Sequence, residues 1–200
     1  MQTPPRLGTA LSIVAAFALA VLLPSAPVAG GNPADAPKIW TGIIVAPTSK
    51  LAPWAYEKFE LRIFKQTTDD EAKGFVEVLR TGGQSALRQA MFHLEQRGWI
   101  TIGRSVATNV NLIRVLDREG GGYIIRIFSA FPMRLLDKSD PPVDAEHPFG
   151  FMELAVDANN MGEGQLIAAA GVTITDGNIV MSSAGAPVFK LKDIIGQAAR

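Results

Sequence analysis

Asp157-Ala158-Asn159-Asn160-Met161-Gly162-Glu163-Gly164 is the string whose spacing comes nearest to a metal site. A calcium loop sets oxygen ligands at positions 1, 3 and 5, glycine at 6 and a carboxylate at 12. Asp157, Asn159 and Gly162 fit positions 1, 3 and 6. Met161 at position 5 offers no hard oxygen, and position 12 is Ala168. A polar turn between two antiparallel strands explains each of these residues without an ion.

The second chemical candidate is His147, with Asp140, Asp144 and Glu146 just upstream. Histidine titrates near neutrality, and a neighbouring carboxylate can orient it as a general base. Adjacency in sequence does not make these side chains face one another, so the plainer expectation is an exposed loop histidine. His93 sits at the edge of an apolar helical stripe and is expected to be a packing or surface histidine rather than a ligand. Gly83-Gln84-Ser85 matches a nucleophile elbow only in part: the closing glycine is missing, and a helix rather than a strand precedes it. Ser85 is more simply a helix cap. Gly120-Gly121-Gly122 has no following helix or Lys-Ser/Thr pair, so a hairpin turn is expected there rather than a phosphate loop.

Trp54, Tyr56 and Trp99 are the aromatic candidates for a ligand surface, because such rings stack on sugars and apolar molecules while tolerating partial exposure. With Trp40 they can equally fill a core.

Composition limits the chemistry further. The chain has 200 residues with no cysteine and two histidines, which removes disulfides, thiol nucleophiles and Cys-ligated metals. Nineteen basic residues balance nineteen acidic ones, so no net field draws nucleic acid or anionic lipid. With 48% hydrophobic and 19% charged residues the chain is of globular type. No cofactor is expected.

Residues 1–30 follow the three-part plan of a secretory signal peptide: Arg6, an apolar run from Ala10 to Leu23, and the small-residue stretch Ser25 to Gly30. That run is short of the roughly 20 residues a membrane span needs. Cleavage after Gly30, with no stable membrane anchor afterwards, is therefore expected, as is a periplasmic or extracellular location by a Sec-type route. Residues 31–38 form a Pro- and Ala-rich leader, and 39–200 a single domain.

Within that domain, Lys58 to Phe64 alternates with Phe59, Leu61 and Ile63 on one face, the period-two signature of a half-buried strand. Thr68 and Glu71 have the spacing of a capping box, and Ala72, Phe75, Val76 and Leu79 form the stripe of an amphipathic helix. Gly82-Gly83 is expected to end it, with a second helix carrying Leu87, Ala90, Met91 and Leu94 and stopping near Gly98. Strands are expected at 39–45, 99–102, 111–116, 123–128, 149–156, 165–175 and 178–182, with Asp176-Gly177 as a tight hairpin turn. A last strand from Val188 is expected to pass into a frayed helix. The order predicts an α+β fold: an antiparallel sheet of six to eight strands with a two-helix pair on one face.

Three segments, KFELRIFKQTTDDEAKGFVEVLRTGGQSALRQAM (58–91), HPFGFMELAVD (147–157) and GEGQLIAAAGVTITDGNIVM (162–181), resemble an uncharacterised group of predicted secreted bacterial proteins. The resemblance implies export, a shared strand–helix–helix opening and a shared C-terminal strand set, with no activity or cofactor attached. The group's loop before Gly-Glu-Gly is richer in acids, where this chain has Asn159 and Met161. The leading expectation is thus a secreted, non-enzymatic domain that binds a protein partner or a small ligand. A small hydrolase or isomerase using His147 is one alternative; a carrier with an apolar cavity lined by Trp54, Tyr56 or Trp99 is the other.

Overall fold

The computed structural model describes residues 36–45, 56–118, 120–133, 135, 145–175, 178–183 and 188–197. Residues 1–30, most of the leader, Trp54, Asp140, Asp144 and Asp176-Gly177 lie outside these, as does the side chain of Tyr56.

Ten strands and one helix follow in the order β1 (Ile39–Val45), β2 (Tyr56–Ile63), α1 (Asp69–Phe92), β3 (Gly98–Ile102), β4 (Thr108–Val110), β5 (Leu112–Asp117), β6 (Tyr123–Ser129), β7 (Phe149–Val156), β8 (Met161–Thr175), β9 (Asn178–Ser182) and β10 (Phe189–Gln197). All pairings are antiparallel, along the path β4-β3-β2-β1-β10-β8-β7-β6-β5, with β9 added to β8. The two ends of that path are neighbours in sequence, separated only by Asn111. Val110 still accepts from the Arg97 amide at 3.0 Å, while the Asn111 amide already donates to Phe128 O at 3.0 Å. One bent strand thus pairs with β3 first and β6 next, and the sheet curls into a nearly closed barrel.

The inward rows are aliphatic and aromatic: Phe59, Leu61 and Ile63 as their alternation predicts, joined by Trp40, Ile100, Ile125, Leu154, Leu166 and others. Trp40 is fully buried, and its indole Nε1 donates to Pro37 O at 2.7 Å. Outside the barrel, α1 lays Ala72, Phe75, Leu79, Leu87 and Met91 over the row Leu112, Phe128, Phe151 and Ile167, whose members oppose one another across β5, β6, β7 and β8. Each such large apolar side chain contributes about 2 kcal/mol by burial.

The helix begins as its sequence requires. The Thr68 hydroxyl accepts from the Glu71 amide at 3.3 Å, and Glu71 Oε2 accepts from the Thr68 amide at 2.8 Å. Two nearly buried arginines of the barrel fasten this end. Arg97 donates to Gln66 O at 2.7 Å and to Glu71 at 2.5 Å; Arg114 donates to Thr67 O at 3.0 Å and to Asp69.

The expected α+β sheet with a two-helix pair is corrected on three counts. Gly83 does leave helical geometry, at φ 68° and ψ −167°, but helix resumes at once, so 69–92 is one kinked element. The kink has a use: Gln84 reaches across to accept the Val172 amide at 2.7 Å, capping β8 where β7 no longer pairs with it. Ser85 lies inside the helix rather than at a cap, and Gly98 starts β3 rather than stopping a helix. Second, the described residues form ten strands, not six to eight. β4 has only three residues, and β8 starts four residues early, because Gly162 and Gly164 let β7 come so close that a Cβ would lie 2.0 Å from Ala155 O and 2.2 Å from Glu153 O. Third, the C-terminal segment stays a strand to Gln197, with no helix among the described residues there. No described helix is long and apolar enough to cross a membrane.

Candidate binding groove

Because α1 covers only the β5–β9 side, the outer surface of β3, β2, β1 and β10 faces solvent. Regular strands would make that surface flat. It is broken at a single place in β10. Between Thr41 and Ile43 of β1 the partners jump from Ile195 to Lys192, and between Gly164 and Gly162 of β8 they jump from Leu191 to Ile194. Both ladders therefore carry the same extra residue. Phe189 and Leu191 point inward, so strict alternation would bury Asp193. The bulge instead returns Ile194 to the interior at 0% exposure and turns Asp193 outward, with φ 50°. Aspartate is among the few residues that accept this left-handed geometry, and a bulge is a known means of re-aiming a side chain.

Asp193 enters a groove of about 510 Å³ together with Thr41, Ile43, Lys58, Glu60 and Thr101. Gly42 belongs to its floor: a Cβ there would stand 2.6 Å from the Phe59 ring and 2.9 Å from Lys192 O, so only glycine lets the ring and the bulged backbone close together. Glu60 is held by Arg62 at 2.7 Å, and the Arg62 guanidinium also covers the Trp99 ring at 5.1 Å. Among the described residues Lys58 and Asp193 form no ion pair. Lys58 opposes Ile43 from β2; from β10 the exposed Lys192 opposes Ile43, and Asp193 follows it as the extra residue of the bulge. Apart from the paired Glu60, the groove lining thus holds one cation, Lys58, and one anion, Asp193, on the two strands that flank β1.

The residues singled out from sequence fall elsewhere. Trp99 lies on the outer surface under Arg62, not on the barrel interior. Asp157 and Asn159 form the β7–β8 turn. Asp157 Oδ1 accepts from the Asn159 and Met161 amides at 2.8 and 3.0 Å, and those bonds, the Met161 one first, hold its carboxyl below the usual range. The carboxylate is occupied by backbone, and no three His, Asp or Glu side chains converge as a metal group among the described residues. His93 caps the end of α1 and is exposed. His147 is not the exposed loop residue expected; it is 9% exposed at the start of β7, while Glu146 is exposed. Across Gly171 the histidine has a neighbour that sequence could not supply: a Cβ on Gly171 would lie 3.2 Å from His147 Cδ2 and 2.6 Å from Ser182 Oγ.

Asp193 itself carried one legible signal. Phe189, Leu191 and Ile194 break their own alternation at that residue. The resulting geometry has to speak for itself, since no family model, curated protein or solved structure matches the chain.

Proposed function

We propose that this is an exported, non-catalytic domain that binds a small zwitterionic ligand, of di- or tripeptide size, in the β10 groove. The observation that carries the reading is the shared bulge that turns Asp193 outward opposite Lys58. Neighbouring strands are about 4.8 Å apart, so β2 and β10 flank β1 at a separation of about 10 Å. An extended tripeptide spans about 10 Å as well. Its ammonium end meets Asp193, its carboxylate end meets Lys58, the two threonine hydroxyls reach its amides, and Ile43 underlies its middle. The groove volume lies within the range of small-molecule sites. Export belongs to the same reading and rests on the residue 1–30 pattern.

The test is an NMR titration with a panel of free amino acids, dipeptides and tripeptides. Shifts are expected at the amides of Ile43, Lys58, Thr101 and Asp193, and Asp193→Asn is expected to weaken binding about tenfold, the loss of one exposed charge-assisted contact. A panel that moves none of these amides removes the proposal.

A hydrolase using His147 is the second reading; what favours it is that Ser182 Oγ and His147 Cδ2 both border Gly171, 2.6 and 3.2 Å from where its Cβ would stand. It predicts covalent labelling by a fluorophosphonate probe that Ser182→Ala abolishes. Absence of labelling in the folded protein ends it.

A further inference from the structure

Among the described residues, strand β9 pairs only with β8 and leaves its other edge open. Thr175 and Asn178 are paired with two residues between them, and a hairpin of that length closes on a hydrogen-bonded pair. Alternation then makes Thr173 and Val180 the next hydrogen-bonded pair, so Val180 directs its amide and carbonyl into β8. Ile179 and Met181 direct theirs outward. The Val172 amide agrees with this phase: it opposes Met181 yet donates to Gln84 on the other side of β8. Nothing among the described residues takes up the outward groups of Ile179 and Met181.

Open edges are ordinarily blocked by lysine, proline or a covering loop. The fold blocks others: Gln84 caps the Val172 amide of β8, and Thr67 bonds both the amide and the carbonyl of Ile113 in β5. β9, Asn-Ile-Val-Met-Ser, has neither charge nor proline. Its side chains already have supports, with Ile179 and Met181 buried under α1 and Val180 half-buried on the opposite face.

We propose that this edge pairs with the β9 edge of a second copy of the chain, antiparallel, about a twofold axis through Val180. Ile179 of one copy then opposes Met181 of the other, twice over, and each pair exchanges both of its backbone hydrogen bonds. All the outward groups of both strands are satisfied. The opposed side chains are apolar and lie on the α1 side of both sheets, while Val180 meets its own counterpart at a non-hydrogen-bonded position. An uncharged strand that is its own hydrogen-bond complement suits a second copy, because it has no charge with which to select a foreign strand.

Sedimentation velocity is expected to show a dimer whose dissociation is concentration-dependent. Val180→Lys is expected to weaken it at least about tenfold, since like charges directly opposite across a ladder repel. The protein has no cysteine, so Val180→Cys supplies a second readout that does not depend on the lysine variant folding well. Non-hydrogen-bonded partners stand about 4.5 Å apart at Cα, within disulfide reach, so mild oxidation is expected to cross-link Val180→Cys and not Thr173→Cys, on the neighbouring strand. A wild-type monomer at all accessible concentrations, a dimer indifferent to Val180→Lys, or equal cross-linking by the two cysteine variants overturns the proposal.

Discussion

Asn111→Leu is expected to lower the unfolding free energy by about 3 kcal/mol, read by urea denaturation at neutral pH. Asn111 is 7% exposed and sits where the bent strand changes partners from β3 to β6. Its Nδ2 donates to Met91 O at 3.2 Å and its Oδ1 accepts from the Ala130 amide at 3.0 Å. One side chain therefore joins the barrel closure, the end of α1 and the segment that follows β6. Leucine keeps the branch at Cγ and is larger than asparagine, so none of the loss comes from a cavity. The loss comes from the buried Ala130 amide left without a partner, at about 1–3 kcal/mol, and from one bond to Met91 O, at about 1 kcal/mol, since that carbonyl still accepts from the Leu94 amide. Hydrogen exchange provides the local check: the Ala130 amide is expected to lose protection more than the amides of β1 or β2. A cost below about 1 kcal/mol, the ordinary worth of a single exposed bond, sinks the view that Asn111 clasps the barrel.

The elements that could be read from sequence are those set by neighbours along the chain. Phe59, Leu61 and Ile63 alternate within one strand; Thr68 and Glu71 meet within one helical turn; Ala72, Phe75 and Leu79 share one face. Each rests on interactions spanning a few residues, which periodicity and capping rules describe. Closure of the barrel does not. It depends on Val110 facing Gly98 while Leu112 faces Phe128, and nothing in Thr-Asn-Val-Asn-Leu announces that change of partner. The start of β8 was hidden for a related reason. Met-Gly-Glu-Gly-Gln has no apolar alternation because its glycines admit the neighbouring backbone rather than filling a core. The groove was legible only in part. The skipped alternation around Asp193 is visible, but its meaning depends on two ladders breaking together. His147 and Ser182, 35 residues apart in the chain, both border Gly171, which no local rule anticipates.

Arg97→Met is expected to cost about 2–3 kcal/mol at neutral pH, and the cost is expected to shrink in acid. Arg97 is 3% exposed and holds two groups at the start of α1, the Gln66 carbonyl and the Glu71 carboxylate. Methionine keeps the apolar stem and removes both bonds. The Arg97 hydrogen bond is the main cause that lowers the Glu71 carboxyl from 4.5 to about 2, aided by the Thr68 amide and hydroxyl against a smaller opposing effect of burial. At face value that depression is worth about 3 kcal/mol. The Glu71 side chain is 35% exposed, and water screening leaves about 1–2 kcal/mol; the lost bond to Gln66 O adds about 1 kcal/mol. The depressed group binds its proton less readily when folded than when unfolded. Its contribution is therefore complete above about pH 4.5 and is lost as the pH falls toward 2. Below that window Glu71 is neutral in both states, and only the Gln66 bond still separates Arg97→Met from the wild type. Glu71→Gln is the matching variant, expected to lose about 1–2 kcal/mol at neutral pH and to converge on the wild type over the same window. Unfolding curves for all three proteins between neutral pH and pH 2 check this directly. A gap between wild type and Arg97→Met that stays constant across the window means that the arginine acts there by packing and carbonyl bonding alone, and that the charge on Glu71 contributes nothing to the seating of α1.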